Sequence, residues 1–140
     1  MAVTATPALP QTPKSYKVQI LPADTSSLKT IATGGANGTK INAINVASTD
    51  TSDRVVQFGI YVGSTLFILG TKTIPLASGT TAGTPSVALL NLTDLPGLPV
   101  DSDGNPYLFL SDASSSLQIK SLTTVTTAKE IDVVASGADF

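Results

Sequence analysis

The chain of 140 residues contains no cysteine, no histidine and no tryptophan. Without cysteine there is no disulfide, no thiol nucleophile and no thiolate zinc site. Without histidine the usual general base of hydrolytic and transfer enzymes is missing. Charge is scarce as well: eight basic and ten acidic residues leave a net charge of −2. The basic residues are scattered, with Lys14 and Lys17 the nearest approach to a cluster. A nucleic-acid binder needs clustered Lys and Arg to displace counterions from phosphates, so no nucleic acid is expected as a partner. No run approaches the ~18 apolar residues of a membrane-spanning helix. The first residues, MAVTATPALPQTP, have neither the basic start nor the apolar middle of a signal peptide. The expectation is a soluble chain made in a cytoplasm, with no membrane contact. Three tyrosines and no tryptophan are also a thin supply of aromatic platforms for a carbohydrate-binding module.

What is present is β-prone material rich in Thr and Ser. It is most concentrated at Arg54 to Pro75, RVVQFGIYVGSTLFILGTKTIP, which reads as two strands joined at Gly63-Ser64. Gly at the first central position suits a two-residue type II′ turn. In the first strand, alternation places Val56, Phe58, Ile60 and Val62 on one face and Val55, Gln57, Gly59 and Tyr61 on the other. In the second it sets Leu66 and Ile68 against Phe67 and Leu69. A hairpin apolar on both faces asks for two covers. One is a second sheet. The other is either a neighbouring protein or a loop of the same chain. Few charges and many hydroxyls lower the cost of burying a surface against another protein.

Residues 1–15 read as an extended arm, because Pro7, Pro10 and Pro13 at three-residue spacing favour a polyproline path and forbid a helix. Residues 16–140 read as one domain. Strands are expected at Tyr16 to Leu21, Leu28 to Ala32, Lys40 to Ala47, in the hairpin, at Val87 to Leu92, Tyr107 to Ser111, Leu117 to Val125 and Glu130 to Ala135. The slip of alternation between Ile41 and Ile44 predicts a β-bulge. Eight or nine short strands with turn signals between them and no helix predict an all-β antiparallel sandwich, with a jelly roll ahead of an immunoglobulin-like sandwich.

The motifs are weak. Asp101-Ser102-Asp103-Gly104-Asn105 has carboxylates at alternate positions, as a calcium loop does, but Pro106 and Asp112 stand where an EF-hand has Gly and Glu. It reads as an Asx turn, with a weak calcium site as the other reading. GGANGTK at 34–40 lacks the phosphate-loop order, and Ser26 to Lys29 matches S-x-x-K without companion motifs. No pair of acidic residues stands out as a glycosidase pair. No enzyme activity, no metal and no cofactor are expected.

The C-terminal half carries a more specific signal. LPGLPVDSDGNPYLFLSDASSSLQIKSLTTVTTAKEIDVVASGADF, residues 95–140, resembles the capsid cement or decoration proteins of tailed bacteriophages, a family with a member in a Bordetella bacteriophage. The features that carry the resemblance are the D-x-x-GNPYL turn and strand at Asp101 to Leu108, the L-x-[IV]-K strand at Leu117 to Lys120, and the closing stretch from Thr124 to Phe140. The hairpin region 47–75 is similar to the family's middle. Ser111-Asp112-Ala113 departs from the pattern, where relatives carry a Pro- or Gly-containing turn.

The resemblance implies a virion protein, synthesised in the bacterial host cytoplasm and bound to the capsid exterior. Its implied partners are the major capsid protein and itself, as a homodimer or homotrimer, so that neighbouring shell subunits are cemented together. The contact residues expected on that basis are Pro7, Pro10 and Pro13 of the arm, Val55, Gln57, Tyr61, Phe67 and Leu69 of the hairpin, and the terminal Phe140. The alternative is a neck or tail component of the same kind of virion, separable by copy number.

Overall fold

The computed structural model describes residues 12–140. Nine strands run in order: β1 (Thr12–Ile20), β2 (Lys29–Thr33), β3 (Thr39–Ser48), β4 (Arg54–Val62), β5 (Thr65–Ile74), β6 (Val87–Ala88), β7 (Leu108–Leu110), β8 (Ser116–Ser121) and β9 (Ile131–Asp139). One short 3-10 turn, Pro22–Asp24, follows β1. All pairings between the strands are antiparallel. One sheet has the order β1-β9-β3-β6, with β7 also on β3. The other has the order β2-β8-β4-β5.

The pairing is nested. β4 pairs β5, β3 pairs β6 and β7, β2 pairs β8, and β1 pairs β9. A chain folded back on itself at the β4–β5 turn, with successive nested pairs falling in opposite sheets, is a jelly roll. The immunoglobulin-like alternative is thereby set aside.

The core follows from strand alternation. Ile20, Ile41, Ile44, Val46, Ile131 and Val133 of the first sheet face Ile31, Val56, Phe58, Ile74, Leu117 and Ile119 of the second, and all are buried. The bulge expected in β3 is present: the pairing of β3 with β9 shifts between Ile41 and Ala43. At the hairpin, Gly63 and Ser64 have φ of 57° and 65°. Two positive φ values make the turn type I′ rather than the expected type II′, and the type I′ twist matches that of the flanking strands.

Two expectations change in detail. Thr12 to Ser15, assigned from the prolines to the arm, pair with β9 from Thr12↔Asp139 onward. Pro13 is tolerated there because β1 is an edge strand, where a missing N–H costs no ladder bond. The strand expected at Val87 to Leu92 is only two residues long. Beyond it the chain leaves the sheet at 89–107 and rejoins β3 as β7. This excursion crosses to the open side of the sandwich beside β5. Lys72 Nζ meets Asp94 Oδ2 at 2.5 Å. Leu95 fills the space over Gly70, where a Cβ would come within 3.1 Å of its Cδ2.

Candidate functional site

Among the described residues, no group of three or more Asp, Glu, His or Cys is placed to hold a metal. The Asp101 carboxylate is instead occupied by its own turn. Its Oδ1 accepts from the backbone N–H of Asp103 and of Asn105, each at 2.9 Å. Those bonds pull its pKa down from the usual value, the Asn105 N–H first among the causes. This is the Asx geometry.

Among the described residues, one buried ionic cluster binds loops together. Asp50, with no exposed surface, receives Arg54 Nε at 2.7 Å, Thr126 Oγ1 at 2.7 Å, the Thr126 N–H at 3.0 Å and the Ser52 N–H at 3.1 Å. Burial by itself would push the carboxyl pKa up. The Arg54 and Thr126 bonds outweigh it and hold the pKa well below the usual range. The cluster joins the β3–β4 loop to the β8–β9 loop, and every acceptor site is taken by the chain itself. Its role is therefore structural.

At the other end of the sandwich, Thr39 Oγ1 donates to Asp139 Oδ1 at 2.5 Å and accepts the Gly35 N–H at 2.8 Å. The Tyr16 hydroxyl is buried beside this pair and completes no hydrogen bond of normal geometry among the described residues. Burial and the Asp139 charge push its pKa up.

What the surface does offer is apolar. On the outer face of the β2-β8-β4-β5 sheet, Val55 is 37% exposed, and Gln57 and Tyr61 are half-buried. Gly59, between Gln57 and Tyr61 on the same face, is buried. Ile68 joins this face, because it pairs directly with Gly59 and directly paired residues point to the same side.

Phe67 pairs with Ile60 and therefore lies on the opposite side from Val55, Gln57 and Tyr61. Leu69 is the extra residue of a bulge, since Phe58 pairs with Gly70 and Gly59 with Ile68. It packs against the core. The single hairpin face composed of Val55, Gln57, Tyr61, Phe67 and Leu69 is thus divided between two surfaces. The two-residue turn sets that split: it pairs Tyr61 with Leu66 and Ile60 with Phe67, so Phe67 shares the side of Ile60 before the bulge is reached.

Pro7 and Pro10 lie outside the described residues, and Pro13 sits in β1. Phe140 lies against Phe109 with ring centroids 5.7 Å apart, and Phe109 against Tyr107 at 5.0 Å. The Phe140 N–H donates to the Gly38 carbonyl at 3.1 Å. Lys40 Nζ stands 4.5 Å from the centre of the Tyr107 ring. Phe109 itself is 49% exposed on the outer face of the β1-β9-β3 sheet, and Val134 on that face is 43% exposed. Sequence reasoning passed over Ile68, Phe109 and Val134. The signal was present for Val134, an apolar residue at an outward position of β9 once Ile131 and Val133 are set inward.

No family model matches the chain, and no curated protein matches it. Solved structures with a similar chain path include a chain of the cyanophage Pam1 capsid asymmetric unit, with 14% identity and a TM-score of 0.45, covering 99% of this chain and 94% of that one. Another is from the virus-like particle of the extra small virus of the giant freshwater prawn Macrobrachium rosenbergii, at 10% identity and a TM-score of 0.39, covering 99% and 87%. A third is from the T13 particle of IBDV, at 13% identity and 0.35, covering 99% of this chain and 35% of that one. Likenesses at these scores establish neither kinship nor role. The jelly roll rests on the strand pairing.

Proposed function

We propose that this chain is a structural protein of a virion, of the capsid cement or decoration type. It binds the outside of a bacteriophage shell and bridges neighbouring major capsid subunits. The observation that carries the reading is that both outer faces of the sandwich display uncovered apolar side chains. Val134 and Phe109 are exposed on one sheet, and Val55 and Ile68 on the other. A bridging protein needs two contact surfaces facing different neighbours. On the first of these faces each apolar residue has a cation as its direct cross-strand neighbour, Lys17 beside Val134 and Lys40 beside Phe109. The segments that resemble the cement family, 47–75 and 95–140, supply the β4–β5 hairpin and the strands β7, β8 and β9. Symmetric repetition then lets modest interfaces add up through effective concentration.

The test is co-sedimentation of the purified chain with phage shells stripped of their decoration, titrated to saturation against the major capsid protein. A fixed lattice ratio, on the order of one copy per capsid subunit as symmetry requires, supports the reading. Saturation at a few copies per particle moves the chain to the neck or tail, and no binding refutes a virion role on that shell.

A further inference from the structure

The outer edge of β5 is open. Among the described residues, no backbone hydrogen bond reaches β5 from any element except β4. The strand is ten residues long, TLFILGTKTI. Phe67 is 61% exposed and Ile68 59% exposed, on opposite faces of it. A long apolar edge of this kind is normally blunted by charge, by proline or by a cover. Here one charge is present, Lys72, and it is taken up by Asp94.

Beside that edge lies a hollow of about 310 Å³, lined by Leu69, Asp94, Leu95, Pro96, Gly97 and Leu98. Phe67 and this hollow therefore stand two residues apart on one strand, an apolar knob next to an apolar hole.

We propose that the free edge of β5 binds a second copy of this chain, the two β5 strands pairing antiparallel about a two-fold axis at Ile68. Backbone direction selects that centre. The Phe67 carbonyl lies against Gly59 of β4, where a Cβ would come within 2.1 Å of it. Main-chain groups alternate from side to side along a strand, so those of Ile68 point out to the open edge. Two Ile68 residues then exchange both hydrogen bonds. In this register Phe67 stands opposite Leu69 of the second copy, in the closely spaced non-hydrogen-bonded pair, with its ring over the hollow. Each copy offers knob and hole to the other, which is the self-complementarity an isologous interface demands. Lys72 falls opposite Ser64, so no like charges meet. The pairing deepens the self-association that the cement resemblance implies by naming its surface, and it is tested on the free chain, apart from shell binding.

Sedimentation velocity on the full chain, Phe67→Glu and Val134→Glu, across a concentration series, tests it. Circular dichroism verifies that each variant is folded. The wild type and Val134→Glu are expected to dimerise, and Phe67→Glu to stay monomeric throughout the series. Phe67→Ala replaces it if the glutamate variant does not fold, with the same expected loss. A monomeric wild type, a folded Phe67 variant that still dimerises as the wild type does, or a Val134→Glu chain that loses the dimer overturns the proposal.

Discussion

Arg54 Nε donates to Asp50 Oδ2 at 2.7 Å, and the carboxylate it reaches has no exposed surface. Asp50 lies in the β3–β4 loop four residues before Arg54 opens β4, and Thr126 closes the cluster from 76 residues beyond Asp50. The structure thus fastens the entrance of β4 to the approach of β9 with one buried anion. Removing the cation leaves that anion uncompensated. Arg54→Ala is expected to destabilise the fold by about 3 kcal/mol, the scale for breaking a buried pair from one side. A urea titration reads this as a lower midpoint at unchanged slope. A midpoint within error of the wild type would show that Thr126 and Ser52 alone satisfy Asp50.

The same carboxyl sets the acid limit of the fold. Its folded-state pKa lies below the unfolded value of about 3.9. Its contribution is therefore complete above about pH 4 and is lost as pH falls towards the folded-state value. Asp50→Asn removes the charge at every pH. The variant is expected to be less stable than the wild type at pH 7, with the gap narrowing as pH drops below 4. Urea midpoints at pH 7, 4 and 3 measure the convergence, and a gap that stays constant would assign acid sensitivity to other carboxyls. Asp24, Asp94, Asp101 and Asp112 also have lowered pKa values, but they are near the surface, where solvent screening dilutes their effect.

Much of the fold was legible because alternation is a strong signal where a strand has one buried face. Val56 and Phe58 in β4, and Ile131 and Val133 in β9, were set inward and are buried. The β3 bulge showed as a slip in that alternation. The second bulge did not, because Leu66 to Leu69 are all apolar and a shift at Leu69 leaves no trace in the pattern. The shortening of β6 was equally hidden. Leu89 and Leu90 are buried, so their hydrophobicity reads as strand although they already belong to the excursion. The Asp50 cluster depends on Thr126, a contact that no local spacing predicts. Arg54 four residues after Asp50 was its one local sign.

Gly59 is the tightest point of the hairpin. A Cβ there would sit 2.1 Å from the Phe67 carbonyl oxygen, a backbone atom that has no flexible retreat. Gly59→Ala is expected to lower stability by roughly 1–3 kcal/mol, the range for overpacking a close contact. Because the strain falls on the β4–β5 ladder, amide exchange should quicken first in Ile60 to Phe67. Uniform exchange across both sheets would mean that the strain is relieved by the whole sandwich.

The arm and the strand it leads into separate at Thr12. Thr12, Pro13 and Lys14 pair with Asp139, Ala138 and Gly137, and Lys14 Nζ stands 3.5 Å from Asp139 Oδ2. Deleting residues 2–11 leaves that register intact, whereas deleting 2–14 shortens an edge strand and removes the charge beside Asp139. On the cement reading, the shorter deletion is expected to keep the thermal midpoint of the wild type and to bind stripped shells more weakly. The longer deletion is expected to lose shell binding and also to lower the midpoint. Equal binding by the 2–11 deletion and the full chain would remove Pro7 and Pro10 from the contact and leave the outer faces, with Val55, Ile68, Phe109 and Val134, to hold the shell. Weaker binding at an unchanged midpoint would assign those ten residues a clamping role that the sandwich does not share.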